Sequence, residues 1–180
     1  MPRDIPSVHP ASWGFECQAG GNQLSRHTRY QALIYANEAV LLIKHREHAT
    51  GREYWVIPGG GLDGNETEEE CVIREAREET NLEVEIDYLL LDEPGHPDGK
   101  YRWRKTFLCR PIAGDASPGS EPEPEASEKY AITEVRWFDL REVHDWGSDL
   151  LGDRFTYPQL AQARVKLGYA PPDTGSLSGG

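Results

Sequence analysis

Short apolar runs rich in β-branched and aromatic residues dominate the first half of the chain. Two of them, residues 28–35 and 39–44, flank Ala36-Asn37-Glu38, a pattern typical of a β-hairpin. A third strand is predicted around Trp55. Residues 83–91 and 101–110 predict two more strands on either side of a Pro- and Gly-rich turn, and residues 134–138 predict a last one.

A helical pattern interrupts the strands at residues 67–80. Thr67 and Glu70 have the spacing of a capping box, so the helix should begin there. Its predicted apolar stripe consists of Val72, Ile73 and Ala76. Asn81 follows at a position where helices commonly end in a left-handed residue. Residues 140–146 and 157–167 predict shorter helices, so the chain as a whole is expected to be α/β.

The apolar pattern fades at both ends and once inside the chain. Residues 1–23 predict an irregular arm, residues 24–170 a single domain, and residues 171–180 a disordered tail. Within the domain, residues 112–128 are rich in Pro, Gly, Ser and Glu, and therefore predict a long acidic surface loop.

The overall charge narrows the choice of partners. The 180 residues carry a formal net charge of -12, which argues against a generic nucleic-acid or anionic-membrane surface. Three scattered cysteines predict reduced thiols, and no segment has the pattern of a signal peptide or a membrane span. We therefore expect a cytoplasmic protein with no membrane partner.

Three carboxylates cluster on the predicted helix. Glu75, Glu78 and Glu79 are related as i, i+3 and i+4, so they project from one face and repel one another. A solvated acidic face is one interpretation of this run. A hard divalent cation is the other, because it takes carboxylate oxygens as ligands and removes the repulsion.

The segment that contains these carboxylates also carries a wider motif. Gly60 is followed by five residues and Glu66, then by seven residues and Arg74-Glu75-Ala76-Arg77-Glu78-Glu79. This spacing resembles the Nudix box, in which Asn81 stands where the family has glycine. The resemblance implies an α/β/α sandwich with a mixed β-sheet. It also implies hydrolysis of a diphosphate linkage in a nucleoside triphosphate, ADP-ribose or another nucleotide sugar, or a dinucleoside polyphosphate.

The same resemblance assigns roles to single residues. Glu75, Glu78 and Glu79, with the carbonyl of Gly60, would bind Mg2+, for which Mn2+ could substitute. Arg74 would hold a box carboxylate in position, and Glu66 would support the site. The family also allows a homodimer.

The residue that takes the proton from water is left open by the sequence: it is one of Glu75, Glu78 and Glu79, or a glutamate from another segment. Glu128, in the acidic loop, and Glu134, before the last strand, both resemble positions of an extra acid in the family, and a solvated surface role fits either one equally well. His96 could lie at the mouth of a pocket. Three further residues could meet a base or phosphate: Tyr101, Trp103 and Arg104.

Two other functions fit a chain with this box. One is a nucleotide sensor without catalysis, although such a module commonly lacks some of the box carboxylates that are present here. The other is an RNA 5′-end pyrophosphohydrolase, against which the acidic balance counts unless the folded protein has a basic groove. His45 and His48 have i, i+3 spacing, but no carboxylate motif supports a metal site there.

Overall fold

The predicted hairpin begins the fold. The computed structural model describes residues 27–120 and 127–171, so the predicted arm and nearly all of the predicted tail lie outside the described residues. Strand β1 (Thr28–Ala36) turns back into β2 (Ala39–Glu47) through Asn37 and Glu38. Both turn residues have positive φ, 50° and 62°, as a tight two-residue hairpin requires.

Seven strands of the described residues form one mixed sheet. The others are β3 (Glu53–Val56), β4 (Gly59–Gly60), β5 (Leu82–Pro94), β6 (Trp103–Gly114) and β7 (Tyr130–Asp139). The strand order is β3-β2-β1-β6-β5, with β4 paired to β1 and β7 paired to β2. Strands β1 and β6 run parallel, whereas the other pairs are antiparallel. Strand β1 therefore joins the two halves of the sheet.

Helices cover both faces of this sheet. Helix α1 (Glu68–Thr80) packs Val72 and Ala76 against Ala32 and Ile34 of β1, with Ile73 partly buried beside them. On the other side Leu33 packs in a second core with Leu160 of helix α3 (Thr156–Lys166). Successive strand residues point to opposite faces, so β1 serves both cores. The α/β/α sandwich with a mixed sheet is confirmed.

Two predicted elements differ from the structure. Strand β6 continues to Gly114, so the first three residues of the predicted 112–128 loop belong to a strand. The predicted helix over 140–146 is only a 3-10 turn, Val143–Trp146, followed by a separate helix α2 (Ser148–Leu151). Gly147, with φ of 83°, separates the two, because a left-handed residue cannot continue a helix.

Candidate active site and adjoining cavity

Helix α1 begins and ends as its sequence predicts. Both hydrogen bonds of the capping box are present: Glu70 N–H donates to Thr67 Oγ1, and Thr67 N–H donates to the Glu70 carboxylate. The helix ends at Asn81, which has φ 59° and ψ 21°. These two signals set where the helix begins and ends, and the i, i+3, i+4 spacing then places the three carboxylates on one face.

The carboxylates on that face are largely removed from water. Glu75 is 4% exposed and Glu79 is 1% exposed, while Glu78 is partly buried. Two buried carboxylates on successive helical turns are costly unless cations or hydrogen-bond donors compensate their charge. A solvated acidic face is therefore ruled out for Glu75 and Glu79.

Arg74 is the first compensating group. Its Nε and Nη2 donate to both oxygens of Glu66 at 2.9 and 2.6 Å. Its Nη1 donates to Glu75 Oε1 and Glu78 Oε2, both at 2.9 Å, and Nη2 also reaches the carbonyl of Gly61. The hydrogen bond to Glu66, together with the charges of Glu75 and Glu78, raises the pKa of Arg74 despite its burial. The guanidinium thus ties three carboxylates to one glycine turn.

Glu66 is held in its ionised form by these contacts. Burial alone would raise the pKa of Glu66, but the hydrogen bonds from Arg74 and from Asp63 N–H outweigh burial and hold it below its ordinary value. The structure thus places Glu66 against Arg74, and the supporting role that the motif implies for Glu66 stays a prediction.

The turn Gly59-Gly60-Gly61 lies directly against the carboxylates. Gly59 N–H donates to Glu79 Oε2 at 2.7 Å. A Cβ at Gly60 would lie 2.7 Å from Cδ of Glu75, so any side chain there would displace that carboxylate, and at Gly59 a Cβ would overlap the backbone of β1, so only glycine fits at position 59. Carboxylate oxygens packed beside a bare backbone form the all-oxygen donor set that Mg2+ and Mn2+ prefer. The chemistry of these donors therefore fits a divalent cation. Among the described residues, the only group of three or more His, Cys, Asp or Glu residues whose ligand atoms all lie within 4.8 Å of one another is the exposed one of Glu142, His144 and Asp145.

The described first residues of the acidic loop form hydrogen bonds with the C-terminal end of helix α1. Ser117, Gly119 and Ser120 donate their N–H groups to the carbonyls of Thr80, Glu79 and Glu78, at 2.9–3.0 Å. The side-chain amide of Asn81 donates to the carbonyl and hydroxyl of Ser117 at 3.2 and 3.1 Å. Asn81 thus adopts the left-handed conformation and also anchors the loop, which glycine could not do.

A cavity of about 410 Å³ adjoins this turn, and Ile57 forms part of its wall. Its lining side chains come from strands β1, β2, β3, β6 and β7, from helix α3, and from the turn between β5 and β6. Its cations are Arg29, Arg52, Lys100 and Arg104, and its rings are His45, Tyr54, His96, Tyr101, Tyr130 and Phe155. Three carboxylates, those of Glu47, Asp98 and Asp153, also line it, so four cations against three carboxylates give the lining a formal net charge of +1 in a protein of net charge -12.

Arg29 connects the cavity to the carboxylates. Its Nη2 donates to the Ile57 carbonyl at 3.3 Å, and its guanidinium lies 5.6 Å from the Tyr101 ring centre. Burial would lower the pKa of Arg29, but the charges of Tyr101, Glu79 and Glu75 raise it overall. A cation is therefore held at the boundary between the two halves of the site.

His45 is a neutral wall of the cavity. Burial, with a further effect of the nearby Arg29 charge, lowers the pKa of His45 to about 3. Its ring stacks on Tyr130 at 4.4 Å between centres. His48 is exposed instead and contacts the Ser127 carbonyl through Nε2.

The two candidate accessory acids lie in different surroundings. Glu134 forms an ion pair with Lys44, whose ammonium group lies over the Trp55 ring. Lys44 and Trp55 point to one face of β2 and β3, and the cavity residues His45 and Tyr54 point to the opposite face. Glu128 is exposed in the turn before Tyr130, a cavity residue. The structure therefore disfavours Glu134 and leaves Glu128 near the cavity.

Of the other candidate binding residues from the sequence, three line the cavity and one lies on the surface. His96, Tyr101 and Arg104 line the cavity, as expected. Trp103 is 41% exposed and its indole N–H donates to Asp92, so it lies on the surface of the sheet. Sequence analysis missed Arg29, Gln31 and Gln159 as cavity residues. The signal in the sequence that could have indicated these three residues is a polar side chain on an otherwise apolar element.

Comparison with known proteins identifies the family. The NUDIX domain matches residues 25–160. A nudix hydrolase of Caenorhabditis elegans is 34% identical over 110 residues, 58% of this chain and 29% of that protein. The NAD-capped RNA hydrolase NudC of Vibrio atlanticus is 31% identical over 106 residues, 59% of this chain and 35% of that protein. The chain thus spans about a third of the length of these relatives.

Solved structures show the same fold. An ADP-ribose pyrophosphatase of Streptococcus suis superposes with a TM-score of 0.58 at 23% identity, over 79% of this chain and 92% of that one. Within the described residues, the helices are too short or too polar to cross a membrane. From the domain match and the box residues assembled on α1, the chain belongs to the NUDIX family.

Proposed function

We propose that this protein hydrolyses the diphosphate linkage of a nucleoside diphosphate derivative, with Mg2+ or Mn2+ as its cofactor. The observation that carries the proposal is the burial of Glu75 and Glu79 beside Glu78, against a turn in which only glycine fits at position 59. Relatives that are named as hydrolases support the reaction class.

The metal ligands in this proposal are Glu75, Glu78, Glu79 and the carbonyl of Gly60. A bound divalent cation would neutralise charge on the phosphate oxygens and lower the pKa of a water molecule that attacks phosphorus. Arg74 holds Glu75 and Glu78 side by side through one nitrogen, so their position does not depend on the cation alone. Burial keeps water out and strengthens each of these charge interactions.

The cavity receives the nucleoside part of the substrate in this proposal. Arg29, between the carboxylates and the cavity, would bind an oxygen of the diphosphate. The rings of Tyr101 and Tyr130 line the cavity and form an aromatic wall against which a base could pack, with His45 already stacked on Tyr130. With the nucleoside in the cavity on one side of Ile57, the diphosphate would lie on the other side, next to the carboxylates. Positioning of this kind supplies much of the rate in phosphoryl transfer.

Glu128 is the accessory acid that we propose. Its turn is held to the end of β2 by the hydrogen bond from His48 N–H to the Lys129 carbonyl, 2.8 Å long. Tyr130, two residues after Glu128, lines the cavity. Glu128→Gln should therefore lower kcat in Mg2+ more than Glu134→Gln does, as measured with the best substrate found.

An RNA 5′ end is the second candidate substrate. The four cations of the cavity, which lie beside the three carboxylates of its lining, are the groups that could contact RNA phosphates. One relative is named as an NAD-capped RNA hydrolase, and such a cap contains the same diphosphate linkage. A homodimer and a cytoplasmic location stay predictions.

The test is product release from a panel of substrates in Mg2+ or Mn2+. The panel contains nucleoside triphosphates, ADP-ribose, UDP-sugars, dinucleoside polyphosphates and capped RNA, with a coupled phosphatase to reveal monophosphates. Glu78→Gln should lower kcat/KM by about a hundredfold or more, as loss of one preorganised electrostatic group does. Glu69→Gln is the matched control, because Glu69 is exposed in the first turn of the same helix. Tight binding without turnover would favour the sensor instead.

A further inference from the structure

Two buried polar atoms at the cavity have no hydrogen-bond partner among the described residues. They are Oε1 of Gln159, on α3, and Nε of Arg104, on β6. Gln159 is 5% exposed, so solvent does not substitute freely for the missing partner. Buried polar atoms nearly always have a hydrogen-bond partner. Two buried atoms without a partner in the lining of one cavity therefore indicate a ligand.

Neighbouring contacts fix the orientation of both groups. Gln159 Nε2 donates to the Phe155 carbonyl at 2.9 Å, which leaves Oε1 as the acceptor end of the amide. Arg104 Nη2 donates to Glu93 Oε1 at 3.0 Å, which holds the guanidinium while Nε is left as a donor. The cavity thus offers one preorganised acceptor and one preorganised donor.

The chemistry of the missing ligand follows from this pair and from the walls. Inorganic phosphate and pyrophosphate are chiefly acceptors and cannot satisfy an amide oxygen. A sugar hydroxyl can both donate and accept, but it has no flat face for the rings of Tyr101, Tyr130 and Phe155. A nucleobase has ring N–H or amino donors, acceptor atoms on the same edge, and a flat face.

We propose that Gln159 and Arg104 are specificity-determining residues that read the edge of a nucleobase. Gln159 Oε1 accepts a hydrogen bond from an N–H of the base, and Arg104 Nε donates one to a ring nitrogen or carbonyl oxygen. This inference rests on the proposed function, because it assigns the nucleoside part of the same substrate to this cavity.

The experiment is calorimetric binding in EDTA, where the result does not depend on turnover. ADP, GDP, CDP and UDP are compared with pyrophosphate, which has no base. The best-bound nucleotide should lose affinity by roughly tenfold to a hundredfold in Gln159→Met, because a buried donor of the base is then unpaired. Pyrophosphate binding should not change. Gln162→Met is the matched control, because Gln162 is exposed on the same helix.

Three further measurements separate recognition from a structural role. The thermal midpoint of Gln159→Met should fall only slightly, since the substitution loses the one hydrogen bond from Nε2 to the Phe155 carbonyl, while the Oε1 that it also removes has no partner among the described residues. Gln159→Glu keeps an acceptor oxygen and should restore discrimination between nucleotide and pyrophosphate. Arg104→Lys keeps a cation for Glu93 but has no Nε donor, and should weaken the nucleotide selectively.

Several results would overturn the proposal. Wild-type protein that binds no nucleoside diphosphate more tightly than pyrophosphate has no base-reading site. Equal losses for nucleotide and pyrophosphate in Gln159→Met, or a lowered thermal midpoint with unchanged selectivity, would show a structural role. Because the assay measures binding, its failure can be told apart from a failure of the hydrolase proposal, which concerns turnover in Mg2+.

Discussion

Replacing Gly60 with alanine perturbs the candidate metal site with one methyl group. The added Cβ would lie 2.7 Å from Cδ of Glu75, whereas carbon atoms make favourable contact at about 3.5 Å or more. The carboxylate must therefore retreat by roughly 1 Å. Glu75 is only 4% exposed and its Oε1 is 2.9 Å from Arg74 Nη1, so this retreat breaks a charge-assisted hydrogen bond.

The expected effects of Gly60→Ala follow from that displacement. Loss of the hydrogen bond should lower the free energy of unfolding by about 1.5–3 kcal/mol, as measured by urea denaturation. A shift of this size at a catalytic group should lower kcat/KM by about a hundredfold, as measured with the best substrate in Mg2+.

Gly64→Ala is the control for Gly60→Ala. No atom lies within 4 Å of its Cβ, although its φ of 56° brings some backbone strain. It should therefore lose stability, by about 1 kcal/mol, and keep its activity. If the activity of Gly60→Ala stays within about threefold of wild type, catalysis does not require Glu75 to pack closely against the turn, and the expectation is refuted.

Three further substitutions test other parts of the site. Arg74→Lys replaces a guanidinium that bridges several acceptors with a point charge, and should lower the free energy of unfolding by about 2–4 kcal/mol in urea denaturation. Gly119→Ala places a Cβ 2.7 Å from the carbonyl carbon of Glu78. It should detach the loop from the end of α1, which faster amide hydrogen exchange at Ser120 would reveal. The pKa of His45 is lowered from 6.5 to about 3 by burial and by Arg29, so its contribution to stability is present above pH 6.5 and is lost as the pH falls. By about pH 5 the loss should be near 2 kcal/mol, and His45→Phe should remove that part of the pH slope, whereas His48→Phe should not.

Each of these expectations has a contradicting result. A lysine at position 74 with wild-type stability would show that the bridging contacts of the guanidinium contribute little. Unchanged amide exchange in Gly119→Ala would show that the loop accommodates the extra methyl group. A pH slope of unfolding that is the same in His45→Phe and in wild type would show that this histidine is not neutral in the folded protein.

The box helix was predictable because its signals are local. The capping box, the apolar stripe and the i, i+3, i+4 carboxylates all act within a few turns of one helix. Asn81 was predictable as a left-handed end for the same reason. Its anchoring of the loop was not, because the contact with Ser117 depends on where β6 ends.

The cavity could not be derived from local patterns. Arg29, His45, Arg104 and Gln159 come from β1, β2, β6 and α3, and only the tertiary fold brings them to one cavity. The spacing of neighbouring residues carries no information about such contacts. The helix predicted over 140–146 failed for a different reason: Glu142, inside that range, has a non-helical backbone with φ -111° and ψ 63°, and a residue-by-residue helical pattern does not register it.

The most direct test of the account is the rate of nucleotide release as a function of free Mg2+. Wild type and Glu69→Gln should share one metal-dependent curve, with no turnover in EDTA. Glu79→Gln keeps an acceptor for Gly59 N–H but loses its charge, so it should have a rate lower by about a hundredfold or more that added Mg2+ does not restore. Turnover in EDTA, or a wild-type curve for Glu79→Gln, would contradict the claim that the buried α1 carboxylates hold the catalytic metal.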